Sequence, residues 1–262
     1  MARRHFCVSL HCEIQPPSET PLIVAASPRQ SKSSGNFEFD ALRWAENYRK
    51  SLLREFAPHL SGDVIEVGAG IGQFTELLVG LGSNRSVLAI EPDAGFCAEL
   101  RNRLPNQRVK QGTVAGLEPG TGCDAIVSTN VLEHIENDVA ELRAYAGLLK
   151  PRSGYLCLFV PARSELYAPI DKDFGHFRRY SKPELKSKLV AAGFVPKRLD
   201  YFNCAGYFAW LLTFRVLGRR AFSPAGVRIF DRFIFPAVHW LESRVMRPPF
   251  GQSLLAIGQA GA

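Results

Sequence analysis

The stretch Val64-Ile65-Glu66-Val67-Gly68-Ala69-Gly70-Ile71-Gly72-Gln73-Phe74-Thr75 decides the fold. A buried-type strand carrying an acidic residue runs into three alternate glycines, and a helical pattern follows at once. Glycines at such a turn let the backbone bend sharply and approach a bound molecule closely. A dinucleotide fingerprint would place its third glycine at position 73, where the chain has Gln73. It would also seat a pyrophosphate, which Glu66 repels. Roughly twenty residues on, Val87-Leu88-Ala89-Ile90-Glu91 ends a second apolar strand in a carboxylate, followed by Pro92. That is the expected place for an acid that binds both hydroxyls of a ribose.

Outward from this core the chain alternates β-rich runs (Val64 to Val67, Val87 to Glu91, Ala125 to Thr129, Tyr155 to Val160) with helical stretches such as Gln73 to Leu81 and Val139 to Leu149. This rhythm predicts an α/β fold, a parallel sheet with helices on both faces. A helix is expected from Phe37 to His59, ended at Pro58, and a final strand at Ser253 to Ile257. Residues 1–36, rich in Pro and Ser, are expected to form a flexible extension ahead of one domain over 37–262.

Composition narrows the class. A content of 46% hydrophobic and 22% charged residues over 262 positions fits one large globular domain. The six cysteines lack CxxC spacing, so neither a zinc site nor a disulfide framework is expected; Cys7 and Cys12, with His5 and His11, do not form a metal motif. No metal and a reducing cytoplasm are the expectations. Phe6 to Leu10 is too short for a signal-peptide core.

The net charge of +7 concentrates in the C-terminal quarter, where seven arginines face only Asp231 and Glu242 after residue 200. The run from Tyr201 to Leu217 is the most hydrophobic in the chain, but Asn203 and Arg215 interrupt it and it is short for a membrane span. Residues 204–250, aromatic side chains interleaved with arginines, read either as a helical cap packed on the domain or as an amphipathic surface that meets a membrane peripherally or a lipid-like substrate.

Together, Glu66, the glycines, the following helix and Glu91 resemble the class I S-adenosylmethionine-dependent methyltransferases, over roughly residues 40 to 258. The resemblance implies a Rossmann-like seven-stranded sheet whose last strand runs antiparallel, with 204–250 a cap inserted before it. It implies a cofactor site of Glu66, Gly68, Gly70, Gly72, Glu91 and Pro92, with Gly112-Thr113-Val114 bordering the adenine and Asn130-Val131 beside the methionine part. The product would be S-adenosylhomocysteine. The acid usual at the adenine loop is absent here.

Val160 to Ser181 also resembles a bacterial subgroup of these enzymes that shares a Gly-His-x-Arg-Arg-Tyr block, here Gly175 to Tyr180. On this basis His176 is the candidate base, with Asp171 or Tyr167 as partner. Arg178, Arg179, Tyr180 and His134 are candidates for acceptor binding, the arginines through a carboxylate or phosphate or else through domain acids. Ser181 and Glu184 form a capping box and are assigned to structure. Ile65 to Thr75 is also similar to the ribosomal RNA adenine dimethyltransferases, but Asn130 is followed by Val131-Leu132-Glu133 rather than the Leu-Pro-Tyr that clamps a flipped base, so a nucleic-acid substrate is not expected. The sequence thus points to methyl transfer to a small-molecule or lipid-like acceptor. A non-catalytic cofactor-binding or membrane-associated interaction protein is the alternative; oligomeric state stays open.

Overall fold

The computed structural model describes residues 43–118, 120 and 122–262. The expected extension over 1–36, Cys7 and Cys12, and the first residues of the expected helix from Phe37 lie outside the described residues.

The chain opens with α1 (Glu46–Phe56) and then alternates: β1 (Gly62–Val67), α2 (Gln73–Val79), β2 (Arg85–Glu91), α3 (Ala94–Arg103), β3 (Arg108–Gln111), β4 (Ala125–Thr129), α4 (Asp138–Leu148), β5 (Tyr155–Pro161). Short α5 (Pro169–Asp173), α6 (Lys182–Ala191) and β6 (Phe194–Phe202) follow. Helices α7 (Cys204–Trp210), α8 (Pro224–Ile229) and α9 (Phe235–Arg244) then precede β7 (Ser253–Ala260). The seven strands form one sheet in the order β3-β2-β1-β4-β5-β7-β6. The first five strands in chain order pair in parallel, and β7 is antiparallel to both β5 and β6.

Strand alternation sends neighbouring residues to opposite faces. Ile65, Val67, Ile126, Leu156 and Leu158 pack with Tyr145 of α4 and Leu185 of α6. Val64, Ala125, Val127 and Phe159 pack on the other face with Leu52 and Phe56 of α1. Both faces are covered, which is why β1, β4 and β5 read as nearly continuous apolar runs.

Two helices of the cap widen into π-helical turns, Leu211–Val216 after α7 and Phe230–Ile234 before α9. The cap is pinned where it leaves and rejoins the sheet. Asn203, at a left-handed φ of 64°, caps α7 by accepting from Gly206 N at 2.8 Å, and its Nδ2 donates to Gln252 Oε1 at 2.9 Å. Buried Glu242 of α9 accepts the backbone N–H groups of Asn203 and Cys204 at 3.2 and 2.5 Å.

Strand β6 has no counterpart in the expectations. It is an edge strand, half exposed, with a register shift between Pro196 and Arg198. Edge position and a bulge are where a sheet tolerates proline and charge, and both erase the period-2 signal.

Gly251 lies against this edge: a Cβ there would sit 2.5 Å from Phe202 O and 2.9 Å from Phe202 N. These are backbone atoms fixed by the β6 ladder. Gly251→Ala is therefore expected to cost about 1–3 kcal/mol, read from the urea unfolding midpoint. A change below about 0.5 kcal/mol would contradict that close approach.

Candidate functional site

The strand order reverses between β1 and β4, and the loops leaving these two strands flank the crevice that results. After β1, Gly68, Gly70 and Gly72 all have positive φ, at 69°, 55° and 82°. A Cβ on Gly68 would lie 2.3 Å from Val131 Cγ2, so the loop after β4 packs directly against a bare backbone. Asn130, at φ 53°, makes the turn out of β4 and donates its N–H to Phe159 O at 2.9 Å.

Two carboxylates stand at this crevice. Glu91, at the end of β2, accepts Gly70 N–H through Oε2 at 2.8 Å and Asp93 N–H through Oε1 at 2.9 Å, locking the glycine loop onto the neighbouring strand. Glu66 is 4% exposed, and its Oε2 has no hydrogen-bond partner among the described residues. Burial pushes its carboxyl up to about 8, with Glu91 nearby adding to the rise. A carboxyl kept protonated by burial, with one oxygen unpartnered, is matched to a cationic group. The donor set and the side-chain-free cradle therefore fit S-adenosylmethionine, whose amino-acid end carries ammonium and sulfonium.

Gly112, after β3, donates its N–H to Glu91 O at 2.9 Å, which brings the adenine-side loop alongside β2. Thr113 follows at its surface, whereas the Val114 side chain is buried in the core and can offer a ligand only its backbone. Pro92 is exposed next to Glu91.

The second half of the site grows from the segment after β5. His176 Nδ1 lies 2.9 Å from Asp171 Oδ1. Arg179 Nε and Nη2 reach the same oxygen at 2.9 Å each, and Asp171 Oδ2 accepts Ala168 N–H at 2.8 Å. Arg179 and the donated hydrogen bonds hold the Asp171 carboxyl below its usual range in spite of burial. A carboxylate can only accept, so Nδ1 carries the proton and Nε2 is the basic nitrogen. Nε2 stands 4.0 Å from Glu133 Oε1. Tyr167 Oη donates to the His176 backbone carbonyl at 2.7 Å, so it positions the residue rather than the ring.

His176 and Arg179 line a cavity of about 310 Å³ beneath the cap, with Asn130 and Pro161 at the strand ends. Trp210, Phe214, Phe222 and Phe230 belong to its apolar wall, and both π-helical turns contribute to it. The arginine is not available to an anion: its side chain is 1% exposed, paired with Asp171, and 4.3 Å from the Trp210 ring centroid.

Other candidates take structural places. Arg178 is bound to Asp138 Oδ2 at 2.7 Å and donates to the carbonyls of Ile135 and Glu136, which corrects the expectation of acceptor binding. Tyr180 is fully buried, its hydroxyl donating to Asp138 Oδ2 at 2.9 Å, and is likewise part of the fold. His134 is surface-exposed, its ring edge-on to His176 with centroids 4.7 Å apart. Glu133, His134 and His176 each bring one ligand atom within 4.8 Å of the others. The 4.0 Å between His176 Nε2 and Glu133 Oε1 is near the ~4.2 Å limit for two ligands of one ion at ~2.1 Å bonds. Trp210 belongs to the aromatic cap over 204–250, whereas sequence reasoning missed Asn203 and Gln252 as cavity wall; only the Asn203 to Gly206 cap pattern carried a local signal.

The chain matches the methyltransferase-domain family over residues 41–197. It is 31% identical over 158 residues to the "probable S-adenosylmethionine-dependent methyltransferase" of Mycobacterium tuberculosis, covering 57% of each chain. It is 31% identical over 149 residues to a trans-aconitate 2-methyltransferase of Methylobacterium nodulans, covering 56% of this chain and 55% of that one. The chain thus spans just over half the length of these curated relatives. Phosphoethanolamine N-methyltransferase 2 of Haemonchus contortus, solved with S-adenosylmethionine, superposes with a TM-score of 0.61 at 12% identity, over 89% of this chain and 59% of that one. That likeness carries the fold alone. The family match, with the seven-stranded sheet and its antiparallel last strand, places the chain in the class I S-adenosylmethionine-dependent methyltransferase family.

Proposed function

We propose that this protein transfers a methyl group from S-adenosylmethionine to an uncharged, largely apolar small molecule bound under the cap. The observation that carries this reading is the juxtaposition of the glycine crevice with the cavity that Asn130, His176 and Trp210 line. Bound S-adenosylmethionine supplies an electrophilic methyl group and leaves as S-adenosylhomocysteine. Glu66 would take the ammonium, Glu91 the ribose hydroxyls through its remaining lone pairs, and the Gly112 to Val114 backbone the adenine edge. Asn130 and Val131 would border the methionine part.

On the acceptor side, the Asp171 contact at Nδ1 would leave Nε2 free to act as the base. Nε2 then takes the proton from an acceptor hydroxyl or amine as the methyl arrives, with Asp171 stabilising the imidazolium. The charge inventory of the cavity sets the acceptor class. Arg179 is neutralised by Asp171, while Glu133 and Asp231 are acidic. A tricarboxylate such as the trans-aconitate of the relatives' name finds no unpaired cation among the described lining residues, and burying it there would be costly.

Two results are expected. In a screen of uncharged hydroxylated and aromatic acceptors, read by release of S-adenosylhomocysteine, His176→Ala lowers turnover about 10²–10⁴-fold while cofactor affinity measured by calorimetry holds. Unchanged turnover would remove His176 as the base. Glu66, held near a pKa of about 8, is mostly protonated at pH 7 and ionises when a cation arrives, so cofactor binding at pH 7 releases close to one proton. Calorimetry in two buffers of different ionisation enthalpy measures it, and Glu66→Gln abolishes the release. Equal heats in both buffers would show that Glu66 does not meet the cation.

A further inference from the structure

We infer that the outer face of the cap is a docking surface for an anionic membrane. The inference rests on the proposed apolar acceptor for its purpose, but not for its physics. In the first cap helix and its π turn, Gly206, Trp210 and Phe214 face inward and line the cavity, whereas Phe208, Leu212 and Val216, offset by two positions, are exposed. In the second, Asp231, Phe235 and Glu242 are buried, and Ile229, Phe233 and Trp240 form the opposite stripe, with Phe233 65% and Trp240 58% exposed. Each helix thus turns one face inward, onto the cavity or the domain core, and an apolar one to water. A cap that served only as a lid would be polar outside.

Charge selects the occupant. The two acids of the cap both point inward: Asp231 accepts the N–H groups of Asn47 and Tyr48 at 2.9 Å each, and Glu242 those of Asn203 and Cys204. The arginines remain outside. Arg220 and Arg247 pair with Asp173 and Asp200, and Arg228 stacks on Trp44. Arg215, Arg219, Arg232 and Arg244 have no carboxylate partner among the described residues. Exposed aromatic side chains flanked by arginines without a carboxylate partner are the composition of an interfacial helix on anionic lipid. A second copy of the chain would bring these like charges together and is disfavoured. No helix among the described residues is long and apolar enough to cross a membrane, so docking would be peripheral. An apolar acceptor in the bilayer would then lie next to the helices that roof its cavity.

Flotation with vesicles of phosphatidylcholine, with and without phosphatidylglycerol, at low and high salt tests this. The wild-type protein is expected to float with phosphatidylglycerol vesicles at low salt and less at high salt. Phe233→Ser with Trp240→Ser abolishes flotation, and Arg232→Gln with Arg244→Gln weakens it roughly fivefold per arginine removed. All four positions lie outside the cavity wall, so both variants keep wild-type cofactor affinity, which separates a docking failure from misfolding. Flotation needs neither cofactor nor acceptor, so its outcome is independent of the catalytic proposal. Absence of wild-type flotation with either vesicle, or flotation unchanged in both variants, overturns the inference. Self-association in sedimentation that Phe233→Ser with Trp240→Ser abolishes, without flotation, would assign the face to a second copy instead.

Discussion

The crevice depends on residue 68 having no side chain. A Cβ there would lie 2.3 Å from Val131 Cγ2, far inside any van der Waals contact. Because it is absent, the loop after β4 closes against the loop after β1, and Asn130 is carried to the floor of the cap cavity. Glu91 fixes the same loop from the other side through Gly70 N–H. A parallel sheet whose order reverses at β1 and β4 creates the opening; a bare backbone between two carboxylates is the feature on which the proposed cofactor site rests.

A second hub organises the acceptor side. Asp171 is fully buried and receives His176, Arg179 and Ala168 N–H, so a single carboxylate aligns the imidazole and neutralises the only arginine among the described cavity-lining residues. Asp138 does the equivalent work one layer out, gathering Arg178, Tyr180 and Lys188. The Gly-His-x-Arg-Arg-Tyr block therefore divides its labour. His176 faces the cavity, Arg179 shapes its wall and its charge, and Arg178 with Tyr180 ties the segment to the helix after β4.

The strands at 64–67, 87–91, 125–129 and 155–160 were legible because two-sided burial leaves uninterrupted apolar runs, and the glycine turn and Glu91 because their chemistry is local. Strand β6 was illegible because its edge position admits Pro196, Lys197 and Arg198. The roles of Arg178 and Tyr180 were illegible for a different reason. Their partner, Asp138, lies about forty residues earlier, and nothing in the spacing announces that three groups converge on it. The cap's inner and outer apolar faces are likewise merged in one aromatic run, and only the offset of buried Trp210 and Phe214 from exposed Phe208 and Leu212 separates them.

The most direct measurement is isothermal titration of the folded protein with S-adenosylmethionine and S-adenosylhomocysteine, repeated on Glu91→Ala. Micromolar binding of both, weakened at least tenfold by the substitution, is what a carboxylate serving both the glycine loop and the ribose requires, since each charged hydrogen bond lost costs about 1.5–3 kcal/mol. Folded wild-type protein that binds neither ligand would contradict the account at its centre.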